Sequence, residues 1–289
     1  MSNLTPGTRL RVLHILSGDL WAGAEAQAHT LLKNLRPLCD VSAILLNEGE
    51  LAKRLRADDI DVTILDEAKL SSRKIFTSLR VHIRQLKPNV VHTHRQKENI
   101  LGALANATTV RARCVRTVHG APEFSGNWQT RLQRSLERWV GRHYQDLFIA
   151  VSHELRDHLA IDYPGLRIST VPNGVDVAAL RAQIGPVDIR DVHPNKRHLG
   201  IIGRLVPIKR IDIFLKIAAR LRQENNNDFQ FHIIGAGPCR LLLESQARAL
   251  NIVERVTFHG HREDIPSIIA ALDAVLICSD HEGLPMVAL

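Results

Sequence analysis

The chain has 289 residues, of which 45% are hydrophobic and 24% are charged, as in an ordinary globular protein. No apolar run approaches the roughly 20 residues that cross a membrane, and the N-terminus lacks the apolar core of a signal peptide. The four cysteines are scattered without zinc spacing, and Cys114 and Cys278 lie in apolar runs typical of buried free thiols. We therefore expect a cytoplasmic protein of about two domains.

The net charge of +8 is distributed unevenly along the chain. Residues 1–150 hold 22 Lys and Arg against 14 Asp and Glu, whereas the remainder holds 16 of each. Such an asymmetry of charge gives information about the binding partners of a protein rather than about its fold. It indicates either an anionic partner for the first half or a solvated surface that is merely basic.

Short β-branched runs alternate with helical patterns from one end of the chain to the other. The first strand is predicted over 10–17, and Ala28, Leu31, Leu32 and Leu35 then mark one face of a helix. Further strands are predicted over 41–46, 61–65, 89–94, 112–119, 146–151, 168–171, 197–203, 229–235, 255–260 and 273–279. Strands alternating with helices predict parallel sheets covered on both faces.

The stretch 173–196 contains Gly, Pro and Asp with weak periodicity, which is typical of a linker. We predict an α/β fold of two doubly wound Rossmann-like domains: residues 1–180, a linker over 181–196, and an incomplete second domain over 197–289. Ligands of open parallel sheets bind at the carboxyl ends of strands. Candidate residues should therefore lie directly after the strands.

In the first domain the candidates are glycines and histidines. Gly18 and Gly23 follow the first strand and would let the backbone approach an anion, although a structural turn explains them equally well. His119 ends a strand, where a hydrogen-bonded structural histidine is the alternative to a catalytic one. His92 and His94 share one face of a strand, but metal binding would need a third ligand.

In the second domain Arg204 and Lys209 occupy the loop after a strand, beside a helix start that disfavours cations. Two cations there suggest a phosphate group between them and the helix, since Arg grips phosphate bidentately and Lys acts as a point charge. The alternative is two exposed basic residues. Glu282 either binds sugar hydroxyls or caps a helix in which Pro285 takes the first position.

Seven segments together resemble a known family. They are "WAGAE" (21–25), "TVHG" (117–120), "AVSHELRDHL" (150–159), "VPNGVD" (171–176), "IIGRLVPIKRID" (201–212), "FHGHREDIP" (258–266) and "HEGLPMVAL" (281–289). In this order and spacing the chain, from about residue 10 to 289, resembles the retaining glycosyltransferases of family 4. Their GT-B architecture has two Rossmann-like domains that face each other across a cleft.

The resemblance implies roles for individual residues. Arg204 and Lys209 would stabilise the leaving diphosphate of a nucleotide-sugar donor, while His119 and Glu282 would contact the transferred sugar. Donor binding would also involve Gly23, Gly203, Gly235, His261, Gly283 and Leu284, and acceptor binding would involve Asp19, Trp21 and His94. The resemblance implies no metal and no cofactor, because the two cations neutralise the phosphates.

Two departures from the family pattern concern the last segment. The family reads E-x7-E here, and because Glu282 matches the first glutamate, the second would fall at position 290. The resemblance thus implies that the chain is a fragment that lacks this carboxylate. Leu284-Pro285 stands where many relatives have Phe-Gly, which removes a backbone donor at position 285.

The acceptor side of such an enzyme is the first domain, which carries the charge excess. Arg131, Arg134, Arg138 and Arg142 recur every three or four residues, with Trp128 and Trp139 nearby. This pattern suggests an anionic membrane surface, at the inner face of the cytoplasmic membrane. Together with the resemblance it implies a lipid-linked or otherwise anionic glycan acceptor, in envelope or surface polysaccharide synthesis. No recognition motif accompanies it, so nucleic acid is not expected.

Two other functions stay open on the sequence. A sugar-nucleotide epimerase of the same architecture would need additional acid and base carboxylates beside the donor, and the sequence shows none among the candidate residues. A non-catalytic module that only holds a nucleotide sugar would suit a truncated chain. The motifs do not specify which nucleotide, sugar or acceptor is used.

Overall fold

The computed structural model describes residues 9–19, 21–120, 128–191, 193–224, 226 and 228–289, with the side chains of 128–131 left outside. The chain divides into two compact units, of which the first runs to Val175 and includes Gly283–Leu289. The second comprises Asp176–Glu282. The predicted linker over 181–196 therefore falls within the second unit, where Ile189 is buried and the Gly185 N–H donates to Ser267 Oγ (2.9 Å).

The first unit is built on a seven-stranded parallel sheet of order β3-β2-β1-β4-β5-β6-β7. Its strands are β1 Arg11–Leu16, β2 Asp40–Leu45, β3 Asp61–Ile64, β4 Val90–Thr93, β5 Arg113–Val118, β6 Leu147–Ala150 and β7 Ile168–Thr170. Its helices are α1 Gly23–Leu35, α2 Glu50–Ala57, α3 Ser72–Leu86, α4 Gln96–Ala107, α5 Trp128–Tyr144 and α6 His153–Asp162. This confirms the predicted α/β class with Rossmann-like topology.

Apolar residues four apart dictate which face of each helix is buried. On α3, Ile75, Leu79 and Ile83 are fully buried against Leu13 and Ile15 of β1. Burying such a side chain contributes about 1.5–3 kcal/mol. The spacing read from the sequence therefore fixes the helix orientation against the sheet.

A buried ion pair joins α5 to the sheet. Arg116 of β5 donates to Glu137 of α5, and their side chains are only 8% and 9% exposed. Gln96 Nε2 donates to the second oxygen of Glu137 (2.8 Å), so both carboxylate oxygens are satisfied. A buried charge is tolerated when it is paired and hydrogen-bonded in this way.

The second unit has a four-stranded parallel sheet of order β10-β9-β8-β11. Its elements are α7 Val177–Arg181, β8 Arg197–Ile202, α8 Ile211–Gln223, β9 Phe229–Ile234, α9 Arg240–Ala249, β10 Val256–Gly260, α10 Ile265–Ala271 and β11 Ala274–Val275. Phe214 and Phe231 pack edge to face at 5.3 Å in its core. Two 3-10 turns, Asp188–Arg190 and Pro207–Lys209, precede β8 and α8.

Three predictions near the end of the chain need correction. The strand predicted over 273–279 is reduced to β11, an edge strand that pairs only with β8 among the described strands. Cys278 lies beyond it and is partly exposed, whereas Cys114 is buried as predicted. Pro285 does not start an α-helix: the Ala288 N–H donates to the Pro285 carbonyl (3.0 Å) and closes a 3-10 turn over Met286–Ala288.

The buried ion pair gives a stability prediction. Glu137→Ala leaves Arg116 buried without its carboxylate, so the free energy of unfolding should fall by about 3–5 kcal/mol in chemical denaturation. Glu224→Ala is the matched control, because Glu224 forms an exposed pair with Arg220 on α8 and should change stability by about 0.5 kcal/mol or less. Equal losses in the two variants would contradict this account.

Candidate active site

The order of strands in the first unit reverses between β1 and β4. The carboxyl ends beside such a reversal form the usual ligand site of a doubly wound sheet. The β1 end leads to Gly18 and Asp19, the β4 end to His94 and Arg95, and the β5 end to His119. The structure thus brings together the residues that the sequence predicts for the first domain.

Four histidines share one face of this sheet. His14 of β1 lies opposite His92 of β4, His94 follows two residues later, and His119 comes after β5. His14 Nδ1 is 3.3 Å from His94 Nε2, and His94 Nδ1 is 3.1 Å from His119 Nε2. Burial lowers all four pKa values: His119 to about 4, His92 to about 3, and His14 and His94 well below their usual range. All four rings are therefore neutral at physiological pH.

His14, which no sequence motif marks as a candidate, supplies a third histidine next to His92 and His94. The nitrogens of these three rings lie within 4.8 Å of one another. However, the His92 and His94 rings stack with centroids 4.5 Å apart and planes only 20° apart. Lone pairs in stacked, nearly parallel rings do not converge on one ion, so this arrangement does not argue for a metal, and the absence of metal stays a prediction.

Arg95 organises the loops around these histidines and is likewise marked by no sequence motif. It donates to Asp19 Oδ1 (3.0 Å) and to the buried carboxylate of Glu25 on α1. Burial raises the pKa of Glu25 despite Arg95, and burial raises the pKa of Glu98, at the start of α4, to about 7. The position of Arg95 directly after β4 could have indicated a functional cation there. Nothing in the sequence indicated that Glu25 and Glu98 would be buried.

Two predicted acceptor contacts already have partners inside the first unit. The Trp21 ring is covered on one face by the Arg54 guanidinium, 4.3 Å from its centroid, and meets the His29 ring edge to face. Both ring nitrogens of His94 are hydrogen-bonded to other histidines. Asp19, by contrast, is exposed beside Arg95. Direct acceptor contact stays a prediction for Asp19 and Trp21, whereas His94 lies behind His119.

The last segment, Gly283–Leu289, packs on the same edge of the first unit. A Cβ added at Gly283 would lie 2.1 Å from the His119 carbonyl oxygen, and one added at Gly23 would lie 3.3 Å from Met286 Cγ. Leu284 packs against the core around Val118 and Phe148, and its carbonyl accepts from Asn173 Nδ2 (3.0 Å). Gly23 and His119 thus both lie next to the segment Gly283–Leu289, and the ligand roles of Gly23, His119, Gly283 and Leu284 stay predictions.

In the second unit, Gly203 and Gly235 end the adjacent strands β8 and β9. A Cβ on Gly235 would lie 1.9 Å from the Gly203 carbonyl oxygen, and both residues have positive φ (157° and 140°). Their N–H groups donate to the carbonyls of Ile234 (2.9 Å) and Gly260 (2.7 Å). These glycines therefore shape the turn at the strand ends, and their N–H groups are already used within the protein.

Lys209 and Glu282 form the charged centre of this second edge. The Lys209 ammonium donates to Glu282 Oε1, which also accepts from Ser279 Oγ (2.6 Å). Next to them, Arg210 donates to Asp280 Oδ1 (2.7 Å) and to both oxygens of Asp212. The two pairs hold the loop after β8 against the loop after β11.

The remaining predicted donor residues of the second unit, Arg204 and His261, are exposed. Arg204 is in the loop with Lys209, and a Cβ on Gly203, its neighbour, would face the Lys209 side chain at 3.6 Å. His261 follows β10 at the same edge of the sheet. The edge therefore combines two cations, a carboxylate and closely packed glycine turns.

Two family models match the chain. The model for Glycosyltransferase Family 4 covers residues 21–179, and the model for Glycosyl transferases group 1 covers residues 196–289. The chain belongs to glycosyltransferase family 4. As a glycosyltransferase it is an enzyme, and its Rossmann-like units carry the candidate residues at the edges where this fold binds ligands.

Individual relatives agree with this family. The chain is 27% identical to UDP-Gal:alpha-D-GlcNAc-diphosphoundecaprenol alpha-1,3-galactosyltransferase of Escherichia coli, over 98% of this chain and 76% of that one. It is 26% identical to the putative glycosyltransferase EpsF of Bacillus subtilis, over 96% and 75%. Among solved structures, Anabaena HepE in complex with UDP-glucose superposes with a TM-score of 0.78 at 21% identity, over 93% of this chain and 74% of that one. That structure supports the fold.

The close approach of Gly283 to His119 gives a prediction for this glycosyltransferase. Gly283→Ala forces a methyl group against the His119 carbonyl and should lower the free energy of unfolding by about 1–3 kcal/mol, seen as a lower melting temperature. Gly174→Ala is the matched control, since a Cβ there meets open space. Equal melting temperatures for the two variants would show that Gly283–Leu289 is not packed on the first unit.

Proposed function

We propose that this glycosyltransferase moves a sugar from a nucleotide-diphosphate-sugar donor to a lipid-linked or other glycan acceptor, with retention of configuration, in envelope or surface polysaccharide synthesis. The observation that carries the proposal is the cluster of Lys209, Glu282 and Ser279 beside the exposed Arg204. Relatives named as transferases in such reactions, including one that uses a diphosphoundecaprenol-linked acceptor, support it.

Charge development explains why two cations are needed. When the bond between the sugar and the phosphate breaks, negative charge grows on the diphosphate. Arg204 and Lys209 would stabilise that charge, and fixed charges directed at developing charge are usually the largest catalytic contribution. Because these side chains neutralise the phosphates, the proposed reaction uses no metal and no cofactor.

The contacts of Lys209 suit this role. Its side chain is 26% exposed and is held by Glu282, whose own carboxylate is positioned by Ser279. An ammonium group has three N–H donors, and the bond to Glu282 uses one of them. Lys209 is thus positioned before the donor binds, which lowers the entropic cost of binding. Glu282 would orient hydroxyl groups of the sugar from the same loop.

Retention follows from attack on the same face of the sugar that the diphosphate leaves. In that course the leaving phosphate accepts the proton of the acceptor hydroxyl, so no protein nucleophile is required. The epimerase alternative would use carboxylates such as Glu25 and Glu98, but the relatives with matching sequences are named as transferases. The solved relatives with UDP and UDP-glucose make a UDP-sugar the donor to test first.

The donor proposal is tested by ligand stabilisation and by substitution. A nucleotide sugar at 100 times its dissociation constant should add about 2.7 kcal/mol to stability, so a thermal-shift panel should single out one donor. With that donor, Arg204→Met and Lys209→Met should each lower kcat by about 100- to 1,000-fold. Lys216→Met on α8, which removes an exposed cation, is the matched control.

Either of two results would contradict the proposal. One is a panel in which no nucleotide sugar raises the melting temperature. The other is a kcat of Arg204→Met and Lys209→Met that is no lower than the kcat of the Lys216→Met control. Donor binding without release of nucleotide diphosphate in the presence of acceptor glycans would instead indicate a non-catalytic module.

The acceptor side of the proposal includes an anionic membrane surface. The structure modifies the predicted arginine stripe of α5: Arg138 pairs with Asp162, and Arg142 donates to the Asp162 carbonyl (3.2 Å). The Arg131 side chain lies outside the described residues, as does that of Trp128. Three apolar side chains on α5 are exposed instead, Leu132 (63%), Leu136 (41%) and Trp139 (45%).

These apolar residues recur at i, i+4 and i+7, so they share one helix face, and Arg134 and Arg138 lie close to them in sequence. An apolar stripe flanked by basic residues is the pattern of a helix that lies in the plane of a membrane surface. Within the described part of the chain, the structure contains no helix long and apolar enough to cross a bilayer. The exposed apolar stripe and its basic neighbours support a proposed membrane contact on the α5 surface.

Vesicle sedimentation tests this contact. At low salt the protein should co-sediment with vesicles containing anionic lipid, and a Leu136→Glu, Trp139→Glu double variant should bind at least about 10-fold more weakly, since two buried apolar side chains are lost. The matched control replaces Leu241 and Leu242 of α9, which are also exposed, by Glu. No sedimentation of the wild-type chain, or equal weakening in both double variants, would remove the membrane proposal.

A further inference from the structure

The histidines behind His119 form a line that ends in two unpaired nitrogens. The rings of His14, His94 and His119 lie end to end, with neighbouring centroids 5.6 and 5.4 Å apart and planes 29° and 14° apart. His14 Nε2 and His119 Nδ1, at the two ends, are buried without a hydrogen-bond partner among the described residues. An unpaired buried nitrogen needs an explanation, and next to a candidate ligand site it is available to bond a partner that the described residues do not supply.

Proton counting shows that the two ends are coupled. A neutral imidazole has one N–H donor and one acceptor nitrogen, so three rings have three of each. The two hydrogen bonds between the rings use two donors and two acceptors. One donor and one acceptor remain, and they must lie at opposite ends of the line. If His14 Nε2 is the acceptor, His119 Nδ1 must be the donor, and the reverse assignment exchanges both roles.

The environment of His14 decides which end donates. His14 is fully buried in β1, and an unpaired N–H in such a place is the rarer defect, whereas an acceptor without a partner is better tolerated. His14 Nε2 is then the acceptor end. The protons consequently lie on Nδ1 of all three rings: His14 donates to His94, His94 donates to His119, and His119 Nδ1–H is the donor that remains.

We infer that His94, supported by His14, is a positioning residue that holds His119 as a neutral Nδ1–H donor toward an oxygen of the transferred sugar. The inference rests on the proposed sugar transfer for the identity of this ligand. A neutral donor suits the chemistry, because positive charge develops on the sugar as its bond to phosphate breaks and an imidazolium would oppose it.

The surroundings of the line keep it uncharged. Arg95 and Arg116 are the cations that act on His119, and His14, His92, His119 and Arg95 act on His94. All of them disfavour protonation, in addition to burial. The packed segment Gly283–Leu289 carries no titratable side chain.

Nitrogen NMR of the histidine rings tests the inference without substrate, so its result is independent of the proposed transfer. The wild-type rings of His14, His94 and His119 should all show the Nδ1–H tautomer, with His119 assigned by the His119→Gln variant. His94→Asn retains an N–H donor near the position of His94 Nδ1, so His119 should remain Nδ1–H. His94→Asp can only accept there, so His119 should change to Nε2–H.

The same variants have different expected kinetics once a donor is known. His94→Asp should lower kcat/KM by about 10- to 100-fold and add an acid limb near neutral pH, because the carboxylate raises the His119 pKa above its value of about 4. His94→Asn should stay within a few-fold of wild type. His92→Gln is the matched control, since His92 touches the line by ring stacking on His94 while its hydrogen bond goes to Thr117 Oγ1 (2.8 Å).

If the His94→Asp variant does not fold, the His14→Leu variant is measured in its place. That variant removes the donor to His94 Nε2, so the His119 tautomer should become mixed. An Nε2–H tautomer for wild-type His119, or a tautomer and pH profile unchanged in the variants at 94 and 14, would overturn the inference.

Discussion

The ion pair of Lys209 and Glu282 is the interaction on which the account of this enzyme depends. It places an ammonium group at the carboxyl edge of the second sheet, where a helix start would otherwise disfavour a cation. The contact of Gly203 with Gly235 brings the two strand ends together, and Arg210 with Asp280 fixes the neighbouring loop. We propose that a positive group held in this way receives phosphate without reorganisation of the protein, which is the condition for electrostatic catalysis.

In the first unit, by contrast, polar histidine rings are buried beside the sheet and stay uncharged. His14 and His92 lie on the adjacent strands β1 and β4, and His94 and His119 directly follow β4 and β5, so the parallel register puts the four side by side. Burial removes the water that would stabilise their charged forms, so they bond as neutral groups. The two units thus contribute opposite electrostatics: fixed charge in the second, and neutral hydrogen-bonding groups in the first.

The strands and helices were predictable because their periodicity is local. Ile75, Leu79 and Ile83 specify a helix face without knowledge of the rest of the chain, and the edge strand β11 was overestimated because pairing on one side cannot be read from residues 273–279. The glycines at 203 and 235 were predicted as ligand contacts, yet their N–H groups are used within the protein. Whether such an N–H group contacts a ligand or bonds within the protein can be decided only when the neighbouring strand is known.

The hydrogen-bond network of histidines in the first unit could not be predicted from the sequence, for a related reason. His14 was read only as part of a strand, and its relation to His94 appears only when β1 pairs with β4, about eighty residues later. Arg95 and Glu25 likewise meet across a long stretch of sequence. The family resemblance identified His119 from its own motif, but it contained no information on the residues that support His119 from behind.

Calorimetric comparison of UDP with UMP tests the role of Lys209 most directly, because the two ligands differ only in the phosphate that Lys209 is proposed to hold. The account predicts that wild-type protein binds UDP more tightly than UMP, and that Lys209→Met reduces this preference by about tenfold or more while leaving UMP affinity unchanged. A UDP preference that survives the substitution, or an equal loss for both ligands, would contradict the account.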